Sequence, residues 1–189
     1  PRKPLMAGTL SPFRLLVAPG LHNSGPDHWQ SRWQRLYPAF ERIEQDDWSD
    51  PVLAVWSARV DEVRRRAPAG HDARPTLIVA HSFGCLASVH SVAADPANVA
   101  GLLLVAPADP DKFGVAALLP HEPLPVPTIM IASTDDPWMP LERARQWAQR
   151  WDSTFIDAGA LGHINAESGL GDWPGGRAWL QALMAGASG

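Results

Sequence analysis

Residues 76–85 read Thr76-Leu77-Ile78-Val79-Ala80-His81-Ser82-Phe83-Gly84-Cys85. The run Thr76 to Ala80 is the most β-branched in the chain and predicts a central, buried strand. Phe83 to Ala94 reads as helix, so Ser82 falls on the turn between the two. Two positions either side of it stand small residues, Ala80 and Gly84. That spacing suits a tight strand-to-helix turn, which forces the serine side chain outward at the carboxyl edge of a sheet while helix and strand approach closely. Ala80 adds one methyl where glycine is usual, a change the turn tolerates.

Outward from this turn, apolar runs of strand length alternate with segments of helical period. That alternation predicts βαβ units, and so a mainly parallel sheet of about six strands with helices on both faces. The predicted strands are Phe13 to Ala18, a weaker Glu41 to Gln45, Thr76 to Ala80, Gly101 to Ala106, Thr128 to Ala132 and Ser153 to Asp157. Helices are predicted from about Asp27 to Leu36, Asp50 to Arg66, Phe83 to Ala94, Leu141 to Trp151 and Gly175 to Met184. Asp50-Pro51 reads as a helix start, because Asp caps free N–H groups and Pro tolerates the first helical position. Leu53, Trp56, Val60 and Val63 then form a core-facing stripe, with Arg59, Glu62 and Arg66 turned away. Pro107 to Pro127 is proline-rich and without a clear period, which predicts either a short lid or an irregular crossover.

The chain's 189 residues and 20.5 kDa suit one domain, read here as residues 13–185 between a flexible leader (1–12) and a flexible tail (186–189). With 46% hydrophobic and 19% charged residues the composition is that of a folded chain. A net charge of −4 supplies no basic field for a polyanion, and the run Arg64-Arg65-Arg66 reads as a solvated face, so nucleic acid is not an expected partner. One cysteine, Cys85, makes no internal disulfide and points to a reducing, cytoplasmic setting. Apolar runs such as Gly101 to Ala106 fall far short of the roughly 20 residues a bilayer span needs.

Three segments carry the chemistry. A serine hydroxyl is a weak nucleophile, so Ser82 requires a histidine base and a carboxylate to orient it. Ser133-Thr134-Asp135-Asp136-Pro137-Trp138-Met139-Pro140 begins at the end of a strand. Asp136 is the candidate acid from its spacing to Pro140, with Asp135 as the alternative and a helix-capping role for Asp136 also open. Gly162-His163-Ile164-Asn165 follows the last strand and offers His163 as base. The chain order Ser, Asp, His is that of α/β-hydrolases. Backbone N–H groups of Phe83 and Leu21 are the candidate oxyanion donors, and Trp138, Leu118 and Leu119 the candidate pocket walls. Cys85 reads as a buried thiol behind the turn. His22, His28, His71, His81, His90 and His121 read as surface groups or supports, and the spacing of His22, Asp27 and His28 fits no metal-ligand pattern. No metal or cofactor is expected.

These residues resemble the family of small serine hydrolases that includes retinoblastoma-binding protein 9 and bacterial YdeN. The likeness spans nearly the whole chain: Pro19-Gly20 with Ser24, His28-Trp29 and Trp33; Gln45, Trp48 and Pro51; His81-Ser82-Phe83-Gly84-Cys85; Ser133 with Asp136-Pro137-Trp138; Gly162-His163-Ile164-Asn165; Gly171 and Trp173. The resemblance implies a compact α/β-hydrolase with a minimal lid and a Ser82, Asp136, His163 triad. Retinoblastoma protein is not carried over as a partner, because Phe83 precedes Gly84-Cys85-Leu86-Ala87, which lacks both the Leu and the Glu of an L-x-C-x-E motif.

The expected activity is esterase-like acyl hydrolysis of a small ester or related acyl substrate, with neither nucleic acid nor membrane as partner. The alternatives are a peptidase or acyltransferase using the same three residues, or a binding module on a hydrolase scaffold.

Overall fold

The computed structural model describes residues 12–66 and 74–188; the predicted leader before Pro12, His71 and Gly189 lie outside them. Within the described residues the apolar runs become six strands, β1 (Arg14–Ala18), β2 (Phe40–Arg42), β3 (Thr76–His81), β4 (Val99–Val105), β5 (Thr128–Ala132) and β6 (Thr154–Asp157). The periodic segments become five helices, α1 (Trp29–Leu36), α2 (Leu53–Arg65), α3 (Phe83–Ala94), α4 (Leu141–Arg150) and α5 (Pro174–Ala187). The sheet order is β2-β1-β3-β4-β5-β6, and every pairing is parallel. Parallel neighbours need long crossovers, which is why a helix separates most successive strands.

Side chains alternate across a strand, so each strand feeds two cores. Leu15, Val17, Leu77, Val79, Leu103, Val105 and Ile131 pack with Trp29 and Trp33 of α1 and Leu180 and Leu183 of α5. Leu16, Ile78, Ala80, Leu102, Leu104 and Met130 pack on the other face with α2, α3 and α4 through Trp56, Leu86 and Trp147. The chain therefore leaves β1 to one face and its neighbour β3 to the other. Strand ends that part in this way open a crevice at their carboxyl edge, the usual place for a ligand in such a sheet. Gly84 keeps that edge tight: a Cβ there would lie 2.3 Å from the Ala18 carbonyl oxygen and 2.5 Å from that of Pro19.

Some boundaries differ from expectation. α2 begins at Leu53, capped by the extended backbone of Val52 and by no side chain. Asp50 instead offers its carbonyl to the Val52 amide (2.9 Å) and the Trp56 indole (2.8 Å), so Asp50-Pro51 forms a turn ahead of the helix. β2 occupies residues 40–42 in place of 41–45, and α5 runs on to Ala187, past the predicted end at Met184. Residues 107–127 form an irregular crossover with a single turn of helix at Ala116–Leu118. It is laid against α4 by bonds from the Leu124 amide to Trp151 O (3.0 Å) and from the Trp151 indole to Pro120 O (2.9 Å). No helix among the described residues is long and apolar enough to cross a membrane.

Candidate active site

Ser82 sits at the junction of β3 and α3 with φ +55° and ψ −123°, a backbone conformation that costs a non-glycine residue about 1–3 kcal/mol. Its neighbours hold it there. The Ser82 amide donates to Val105 O (3.1 Å), and its carbonyl accepts from Cys85 N (3.0 Å) and Ala108 N (3.1 Å). The side chain is thereby held out at the carboxyl edge, between the loops that follow β1 and β4.

The loop after β6 brings His163 to it. Gly162 and Ile164 both have positive φ, and four bonds from elsewhere in the fold fix the bend. Leu161 N donates to Ser133 Oγ (2.9 Å) and Gly162 N to Asp135 Oδ1 (2.8 Å). The Trp29 indole donates to Ile164 O (2.8 Å), and His81 Nε2 donates to His163 O (2.9 Å). The ring is left with Nε2 3.0 Å from Ser82 Oγ, while Nδ1 lies 3.0 and 3.1 Å from the two carboxylate oxygens of Asp136.

The two adjacent aspartates are separated by these contacts. Asp136 Oδ1 also accepts the Trp138 amide (2.9 Å), a turn closing well before α4 begins at Leu141, so the carboxylate does not cap that helix. Asp135 faces Gly162 and Ser133 instead, and their hydrogen bonds hold its carboxyl below the usual carboxylate range. It ties the acid loop to the histidine loop.

Beneath the pair lie two further imidazoles, His28 and His81, which the sequence left as surface groups or supports and which are both buried. The His81 ring lies 4.8 Å from the His163 ring and 4.6 Å from that of His28. Burial, reinforced by the neighbouring His28 and His163, pushes His81 well below its ordinary value. Burial, with Arg42 and His163 adding to it, takes His28 down to about 3. Both are neutral near pH 7. A carbonyl only accepts, so His81 carries its proton on Nε2; His28 accepts the Gln30 amide on Nδ1 (3.1 Å). Cys85 is fully buried, donates to Val105 O (3.5 Å) and has its thiol pushed up by burial, which removes it as a nucleophile.

A cavity of about 520 Å³ opens over Ser82, with Leu21, Ala108, Phe113 and Trp138 forming its apolar wall and His163 at one side. Leu118 and Leu119, expected as pocket walls, do not line it. The helical turn at Ala116–Leu118 sends Leu119 into the α4 core and leaves Leu118 exposed. Phe113, Lys112 and Ala108 take that place; no period in the crossover could have identified them. Phe83 turns its ring into the core, 5.1 Å from Trp56 and 5.0 Å from Phe113. Its amide, first in α3, has no carbonyl one turn back to bind. The Leu21 amide likewise has no hydrogen-bond acceptor among the described residues, whereas His22 N donates to Trp48 O (2.8 Å) and Asn23 N to Gly20 O (3.1 Å). Among the described residues no three His, Cys, Asp or Glu side chains are grouped as metal ligands.

A six-stranded parallel sheet flanked by five helices, with a serine on the tight turn after its central strand, is the α/β-hydrolase fold. The chain belongs to the serine hydrolase family, whose sequence profile it matches over residues 15–182. It is similar to a structure described as a YdeN-like hydrolase from Pectobacterium atrosepticum, with 37% identity, 95% of each chain covered and a TM-score of 0.88. The ydeN gene product of Bacillus subtilis shares the fold at 18% identity, over 92% of this chain and 99% of that one (TM-score 0.70). So does α/β-hydrolase domain-containing protein 10 from mouse, at 16% identity over 90% of this chain and 87% of the other (TM-score 0.65). No curated protein matched the chain.

Proposed function

We propose that the protein hydrolyses small esters or related acyl compounds through an acyl-enzyme on Ser82. The observation that carries this reading is the unbroken line of contacts from Ser82 Oγ through the His163 ring to Asp136, each within 3.1 Å. Ser82 Oγ attacks the carbonyl carbon as His163 Nε2 takes its proton, and Asp136 holds the ring with its Nδ1–H toward the carboxylate. The resulting oxyanion lies toward the Phe83 and Leu21 amides, and that neither N–H has an acceptor among the described residues supports this assignment. Collapse of the intermediate expels the alcohol, which takes the proton from Nε2. Water, deprotonated by the same nitrogen, then attacks the acyl-enzyme, and the acid leaves as Ser82 recovers its proton. Trp138 and Phe113 border the acyl group.

The test is turnover of a short-chain p-nitrophenyl ester, together with labelling by a fluorophosphonate probe. Ser82→Ala loses the label, and Ser82→Ala or His163→Ala lowers kcat on the order of 10⁴-fold or more. Undiminished turnover by Ser82→Ala would sink the assignment. Faster turnover of amino-acid aryl amides than of aryl esters would move the activity from esterase to peptidase on the same three residues.

A further inference from the structure

We infer that Arg42 is a positioning residue for the reaction: it holds the loop after β1 in the strained form that presents the Leu21 amide to the reacting oxygen. This rests on the hydrolase reading above and adds to it a residue outside the Ser82, His163 and Asp136 line.

The loop that bears Leu21 is under two constraints. On its inner side Gly20 touches the turn at Ser82, where a Cβ on residue 20 would come within 2.8 Å of Ser82 Cβ. Beyond Leu21, His22 and Asn23 are consecutive non-glycine residues with φ +64°. Each such residue costs on the order of 1–3 kcal/mol and persists only where its surroundings over-determine it. Leu21, His22 and Asn23 all line the cavity, so the strained segment is also a cavity wall.

Arg42, at the carboxyl end of the edge strand β2, supplies the constraint on the outer side. Its Nη1 donates to Asn23 Oδ1 (2.9 Å) and Ser24 O (3.0 Å), directly on the strained segment. Its Nη2 donates to Ser31 Oγ (2.6 Å), and Ser31 in turn donates to Ser24 O (2.8 Å). Its Nε donates to Gln34 Oε1 (2.7 Å), which references the fork to α1. All four acceptors are neutral. Glu44 lies near enough to favour the charge, while the rigid fork is spent on backbone and side-chain oxygens of one loop and the helix behind it. Lysine has neither the reach in three directions nor the planarity to replace it.

The inference is tested by steady-state hydrolysis of the same p-nitrophenyl ester by wild type, Arg42→Lys and Arg42→Gln, with Arg59→Gln as a surface control. Each protein is assayed well below its own unfolding midpoint. Arg42→Gln is expected to lower kcat at least tenfold while KM stays within about twofold, since an oxyanion donor acts on the transition state and not on the bound ester. Arg42→Lys falls between, and Arg59→Gln matches wild type. The inhibition constant of phenylboronic acid, which becomes tetrahedral on Ser82, rises by the same factor as kcat falls. A folded Arg42→Gln with wild-type kcat, or with KM raised at constant kcat, overturns the inference and leaves the hydrolase reading standing. If neither Arg42 variant folds, Ser31→Ala decides: reduced kcat with weakened boronate binding supports the inference, and wild-type values for both overturn it. Absence of Ser82-dependent turnover in the wild-type protein overturns both readings together.

Discussion

Asp135 and Asp136 are adjacent, chemically identical and differently employed. The turn beginning at Ser133 sends one carboxylate to the His163 ring and the other to the Gly162 amide. Asp136→Asn replaces an acceptor facing Nδ1 by an amide that favours the wrong tautomer, and kcat is expected to fall by roughly 10⁴. Asp135→Asn leaves the His163 contacts in place and weakens a charge-assisted bond to the histidine loop, so kcat falls less than about tenfold while the unfolding midpoint drops. Steady-state kinetics and thermal unfolding of the two variants distinguish these roles. The sequence favoured Asp136 only through its spacing to Pro140, because nothing local says which way two successive side chains of a turn will face. Ser82 and His163 were more legible: Ser82 directly follows the fully buried β3, and His163 follows Gly162, which permits an abrupt bend.

At the scale of elements, β3, α3 and β5 were readable to within a residue, because their apolar content is dictated by a sheet covered on both sides. The starts of α1 and α2 and the crossover were not. Asp50-Pro51 carries the composition of a cap, yet the Trp56 indole claims the Asp50 carbonyl and the helix begins later. The pocket walls suffered most, since residues 107–127 have no period from which a facing direction could be inferred. Connections between elements also carry function here. Trp29 of α1 donates across to Ile164 O in the loop after β6, joining two segments 135 residues apart at the base of the site. Trp29→Phe keeps the ring and removes the donor, leaving a buried carbonyl unpaired. It is expected to cost about 1–3 kcal/mol by urea unfolding and to lower kcat as the His163 loop loosens.

For the molecule as a whole, the two buried neutral imidazoles set an acid limit. The folded chain keeps His28 neutral down to about 3, whereas the unfolded chain protonates it near 6.5. His81 is displaced in the same direction. Protons therefore bind the unfolded state first. The contribution of His28 to stability is complete above about pH 6.5 and is lost as pH falls from there toward 3, at up to about 1.4 kcal/mol per pH unit, and His81 adds in the same direction. Urea unfolding at pH 7, 6 and 5 is expected to show that slope, and His28→Asn to flatten it; a wild-type free energy constant from pH 7 to 5 contradicts it. The nine tryptophans follow from the same architecture. Eight are buried or half-buried, while Trp138, at the cavity wall, is 61% exposed. Its indole is thus a built-in optical reporter. Its red-shifted emission and ready quenching by acrylamide should both diminish when an acyl group or boronate fills the space beside it, so occupancy can be followed by fluorescence without any label.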